Sequence, residues 1–207
     1  MPTARESLLE AAGAALAARP WPAVRMVEVA AAAGVSRQTL YNEFAGKTGL
    51  GHALVRRDAA WYLDGVDRAL ASPGAPAERL AALAEWTVRA GGERPLVRAL
   101  LTGCWNGNLP VPAGRGVRPG LPALGPEELI RGVRERARTA FEAQGALRGG
   151  VREGAQEGAQ RCELAVRLAL SYLIAPAEPP GPGRAGLLRL LSGISGISGT
   201  SPRAGAR

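Results

Sequence analysis

The chain has little of what most catalytic or cross-linked proteins use. Its 207 residues include one histidine, His52, two cysteines, Cys104 and Cys162, and 4% aromatic side chains. One histidine and no C-x-x-C spacing exclude the familiar zinc patterns, and two isolated cysteines form no disulfide framework. Each cysteine is expected to be a small buried apolar residue. The glycine-rich stretches lack a G-x-x-x-x-G-K phosphate cradle, no paired carboxylates stand out, and no nucleophile motif accompanies His52. No enzyme, metal or cofactor is therefore expected. An uninterrupted apolar run of about 20 residues is also missing, as is a basic segment leading into an apolar stretch with a cleavage site. The expectation is a cytoplasmic protein with no membrane partner.

What the chain has is a 46% apolar composition, enough for real cores, and a formal charge of +8 with a pI near 10.8. An anionic partner is implied, nucleic acid first. The charge is not concentrated, however: residues 1–60 carry seven basic and five acidic side chains, so the first segment holds only +2 of the excess. Nearly all of it is arginine. The sole lysine, Lys47, follows Gly46 at an expected helix start, where an ammonium beside free amides suits a phosphate.

The organising stretch is residues 26–44, MVEVAAAAGVSRQTLYNEF. Val29, Ala30 and Ala33 give a short helix one apolar face. Gly34 accepts the left-handed conformation that ends that helix, and Val35 can drop into the angle that follows. Ser36 is an N-cap for a second helix whose inward face is Leu40 and Phe44, four residues apart. Ser36, Arg37, Gln38, Thr39, Tyr41 and Asn42 then make a border and outer face rich in groups that read base edges and hold phosphates. With Lys47 they are the expected contacts to double-stranded DNA. Two short helices around a glycine also occur in ordinary helical domains, but the spacing A-A-G-V-S-x-x-T-L-Y-x-x-F constrains a dozen positions together.

These residues resemble the TetR-type bacterial transcriptional regulators over the first 50 positions or so. The resemblance takes in Leu8, Leu9, Ala11, Ala12 and Leu16 of a first helix, the aromatic Trp21 after it, and Gly46, Lys47 and Leu50 at the start of a long fourth helix. Departures are Gly13 inside the first helix, Pro20, Arg25 in place of a Thr or Ser cap, and Glu43, an acid that should turn away or pair with an arginine. The resemblance implies an all-α fold: a three-helix DNA-binding domain (residues 1–46), then a larger helical ligand-binding and dimerisation domain (residues 47–193). It also implies a homodimer formed through the last two helices. Residues 194–207, rich in glycine and serine, are expected to be a disordered tail.

Beyond residue 47 the pattern is helical throughout. A long helix runs to about Leu70, a Pro/Gly break spans 72–76, and helices are expected over 77–90, 93–105, 126 onward, 162–175 and 185–191. Residues 106–125 carry too much glycine and proline for a helix and read as a mobile loop, either a lid or a plain connector. The 162–175 helix is apolar on more than one face, so Leu164, Leu168 and Leu173 are the expected dimer contacts. Trp61, Trp86, Cys104, Trp105, Phe141 and Tyr172 are the candidate lining for a small hydrophobic effector, neutral or anionic, although large aromatics at helical spacing more often form core. Three functions remain open: a ligand-responsive repressor, a DNA-binding regulator controlled by a protein partner, and a helical enzyme or interaction module with a coincidental glycine turn.

Overall fold

The computed structural model describes residues 2–110, 124–148 and 153–175. The description includes side chains except at residues 144–148, 153 and 154. Eight α-helices and one 3-10 turn account for these residues, with no strand among them. The helices are α1 Ala4–Ala18, α2 Met26–Ala32, α3 Arg37–Phe44, α4 Lys47–Leu70, α5 Pro76–Glu93, α6 Pro95–Thr102, α7 Pro126–Arg148 and α8 Glu153–Ile174; the turn is Trp21–Ala23, between α1 and α2. The fold is all-α, as the periodicity requires. None of the described helices is long and apolar enough to cross a membrane.

Helix ends follow local chemistry. Thr3 caps α1 by accepting from the Glu6 amide at 3.2 Å while the Glu6 carboxylate takes the Thr3 amide at 2.7 Å. Those hydrogen bonds hold the Glu6 carboxyl below the usual carboxylate range. The helix expected over 93–105 is shorter at both ends. Pro95 sits at its first position, where a missing amide costs nothing, and Gly103 at φ 72° stops it, so Trp105 lies outside. At the other extreme, α8 begins nine residues before the stretch expected to be helical. Glycines had hidden that extension. Gly158 is a packing position, because any Cβ there would press on the ring of Phe141 from α7.

The chain divides into two compact units. The first comprises Met1–Tyr62 with Glu93–Leu129, and the second Leu63–Gly92 with Ile130–Arg207. Helix α4 contributes to both. In the first unit Leu8, Ala12, Leu40, Leu50, Leu54, Tyr62 and Leu100 are buried. Asp58 is buried there too, receiving a 3.0 Å hydrogen bond from Arg94 Nη1 with Arg57 Nε 3.7 Å away. Burial pushes its carboxyl up, and the two guanidiniums oppose that shift. Gly13, the oddity in α1, is what lets Arg57 lie across that helix, since a Cβ would meet Arg57 Nη2 at 2.5 Å.

The second unit is closed by Leu80, Leu83, Ala84, Trp86, Val133, Ala137, Cys162, Val166 and Ala169. Its helices approach through glycines: Gly65 faces the Trp86 indole, Gly91 faces Leu173, and Gly132 faces Leu63. Cys162 is buried as expected, with its thiol pushed up to about 12 by desolvation. Cys104 is exposed, contrary to expectation. It falls after the end of α6, in an irregular segment where no helix face turns it inward. The helix expected over 185–191, the tail expected over 194–207 and most of the loop expected over 106–125 lie outside the described residues.

Candidate nucleic-acid interface

The two short helices form as the spacing dictates. Val29 and Ala30 are buried on α2, whose N-cap, Arg25, makes no side-chain capping bond. Gly34 at φ 68° turns the chain, and the Val35 amide donates back to the Ala30 carbonyl at 3.0 Å. That pairing satisfies carbonyls the helix end would leave open. Ser36 Oγ then accepts from the Thr39 amide at 3.0 Å and lies 2.9 Å from the Thr39 hydroxyl. Two of the expected DNA contacts thus spend much of their bonding on shaping the helix. Leu40 and Phe44 turn inward, fully or nearly fully buried. Ala45 takes the left-handed conformation at φ 55° and Gly46 follows at φ 131°, which folds α4 back directly from α3.

Arg37, Gln38, Tyr41 and Asn42 remain on an exposed outer face, with Tyr41 42% accessible. Gln38 Nε2 donates to Asn42 Oδ1 at 2.8 Å, one helical turn on. This fixes both amides side by side and leaves a carbonyl of Gln38 and an amino group of Asn42 facing outward, an acceptor and a donor suited to a base edge. Glu43 is neutralised. Arg5 Nη1 lies 3.4 Å from its carboxylate and 3.2 Å from its backbone carbonyl, and the same guanidinium sits 4.6 Å over the Phe44 ring. Arg5 was not among the residues picked from sequence, because the pair joins positions 38 apart.

Lys47 is placed differently from the expectation. Its Nζ donates to the Pro22 carbonyl at 2.9 Å and lies 5.5 Å over the Trp21 ring. The ammonium clamps the turn between α1 and α2 onto the start of α4, because a carbonyl and an indole face lie within its reach. Trp21 is itself buried, and its amide donates to the Asn108 carbonyl at 2.7 Å.

The six candidate effector residues divide between the units. Trp61 lies in the first, under the Arg94 guanidinium at 3.8 Å, lining a cleft of about 700 Å³ with Asp58 and residues of α1. Cys104 lines a separate cleft of about 480 Å³, and Trp105 is half-buried beside it in sequence. Trp86, Phe141 and Tyr172 belong to the second unit. Trp86 is buried between Arg68 and Arg89, Phe141 packs toward Gly158, and Tyr172 packs on Ala84 and Ala169. Those three contribute to core packing. Of the expected dimer contacts, Leu164 is 48% exposed, Leu168 is half-buried against the Ala84 and Ala169 cluster, and Leu173 is buried against Gly91.

Residues 8–54 match the family model described as bacterial regulatory proteins, tetR family. The HTH-type transcriptional regulator AlkX of Mycobacterium tuberculosis is 42% identical over 66 residues, which span 32% of this chain and 31% of that protein. In fold, the chain is similar to a TetR-family transcriptional regulator from Streptomyces coelicolor, 21% identical over 96% of this chain and 83% of that one, with a TM-score of 0.58. It is also similar to the TetR family repressor AlkX from Dietzia sp. strain DQ12-45-1b, implicated in biodegradation of n-alkanes: 23% identical, 92% and 94% covered, TM-score 0.51. The capped second helix, the glycine turn and the match over residues 8–54 together make the N-terminal part of this chain similar to the tetR family of bacterial regulatory proteins.

Proposed function

We propose that the chain is a sequence-specific DNA-binding transcriptional regulator, a ligand-responsive repressor that binds an inverted-repeat operator as a homodimer. The observation that carries the reading is the outer face of α3: one guanidinium, an ordered Gln38–Asn42 pair and an exposed phenol, with the nearby acid already paired. Arginine makes a bidentate pair with guanine and glutamine with adenine, each worth about 1–3 kcal/mol of discrimination. Selection of bound sequences from a random duplex pool by the full chain supplies the operator. On it, Arg37→Ala and Gln38→Ala are each expected to lose roughly tenfold to a hundredfold in affinity and to relax preference at a defined base position. Wild-type selectivity in both variants would place the reading helix elsewhere.

The homodimer is proposed to form through α8. Leu164 is an exposed apolar residue in its middle, Ile174 is another at its end, and Leu168 lies one turn on from Leu164, partly buried in the subunit. Two heads on a two-fold axis would read half-sites about 34–36 Å apart, or a multiple of that turn. Leu164→Arg should halve the mass seen by light scattering while leaving the helical circular dichroism unchanged. A dimer that survives the substitution moves the interface off this face.

A further inference from the structure

Helix α3 has no net charge of its own. Residues 37–44 hold one base, Arg37, and one acid, Glu43. Glu43 stands four residues after Thr39, so the two share the border of the outer face, and its side chain is 38% exposed. It also falls in the last turn of the helix, where carbonyls without an intrahelical partner add a partial negative charge. Two negative features therefore meet at one end of the face that, in the proposed reading, approaches phosphates.

One side chain from α1 answers both. Arg5 Nη1 donates to the Glu43 backbone carbonyl at 3.2 Å and to its carboxylate at 3.4 Å, and the guanidinium lies 4.6 Å over the Phe44 ring. The base from which Arg5 reaches is firm: Thr3 and Glu6 close a capping box around it, and Leu8, Leu9 and Ala12 bury the helix behind it. Phe44 is buried, so the ring beneath the guanidinium is fixed as well. Folding gains little from the pair. Its side chains are 49% and 38% exposed, and ion pairs so open to solvent typically contribute little to stability. What the pair changes is the charge at the C-terminal end of α3.

We propose that Arg5 is a positioning residue for DNA binding: it acts through Glu43, whose charge it cancels where α3 meets the phosphates, and not by touching the duplex itself. An uncompensated carboxylate beside phosphates is a like-charge contact and costs affinity for every sequence. The three contacts that already occupy the guanidinium favour this role over a direct phosphate contact. The role rests on the regulator reading above.

A double-mutant cycle on the full chain tests it, with the selected duplex and a scrambled one at about 0.15 M salt. Arg5→Gln is expected to weaken binding to both duplexes about tenfold with no change in the urea midpoint. Glu43→Gln should bind at least as tightly as wild type, and Arg5→Gln/Glu43→Gln should return to within about threefold of it. A direct phosphate contact by Arg5 gives a different result, the same loss whether residue 43 is Glu or Gln. Arg138→Gln, an exposed arginine on α7, controls for the general attraction of a +8 chain to DNA and should cost less than about threefold. Additive losses, an equal loss in Arg138→Gln, a lowered midpoint in Arg5→Gln, or wild-type affinity in Arg5→Gln each overturn the role of Arg5 and leave the reading of α3 intact. A wild-type chain that selects no sequence overturns the regulator reading, and the role of Arg5 with it.

Discussion

Gly49→Ala is expected to cost at least tenfold in affinity for the selected duplex and to lower the unfolding midpoint, although residue 49 faces no DNA in the proposed reading. It stands in the first turn of α4, where an added Cβ would overlap the carbonyl oxygen of Phe44, the last residue of α3. Overpacking a well-filled core typically costs about 1–3 kcal/mol, and here the obstruction is backbone, which has no rotamer with which to retreat. Relief requires the C-terminal end of α3 to move. That end already carries Ala45 in a left-handed conformation and Phe44 in the core, so movement is transmitted to the outer face. The control is Thr48→Ala, exposed beside it, which should stay within about 0.5 kcal/mol and bind normally. A Gly49→Ala protein with wild-type midpoint and affinity would show that the α3 to α4 junction is looser than described.

The second large effect is expected in the other unit. Gly65→Ala should destabilise the chain by about 1–3 kcal/mol, the range for forcing extra atoms into a filled core. A Cβ at residue 65 would fall on the indole of Trp86, which is 8% exposed and flanked by the guanidiniums of Arg68 and Arg89 at 5.6 and 5.1 Å from the ring. The ring cannot slide far without giving up its burial or those cations. Urea unfolding followed by circular dichroism measures the loss. The emission difference between Gly65→Ala and Gly65→Ala/Trp86→Phe isolates the displaced indole, which should be red-shifted. Should Gly65→Ala instead unfold at the wild-type midpoint, Trp86 is not the packed residue described. Truncating Trp86 is accordingly expected to act through stability first.

Sequence and tertiary structure determined different things here, for a physical reason that individual residues make plain. The glycine turn, the Ser36 cap and the inward Leu40 and Phe44 were legible because helix stops, caps and one-turn spacings act within four or five residues. The all-α fold and the long α4 followed from periodicity in the same way. Where neighbours come from far along the chain, the sequence was silent. Nothing local says that Arg5 will neutralise Glu43, that Lys47 will choose the Pro22 carbonyl, or that the Asn108 carbonyl will hold Trp21. The glycines divide along that line. Gly34 and Gly103 were needed for positive φ, a local demand, whereas Gly13, Gly51, Gly65 and Gly158 make room for Arg57, Pro110, Trp86 and Phe141, which only packing could reveal. The aromatics followed suit: their composition marked them as a group, and the fold divided them between two units. Local backbone chemistry is written residue by residue, while the choice of partner for a long side chain depends on which helices tertiary packing brings within its reach.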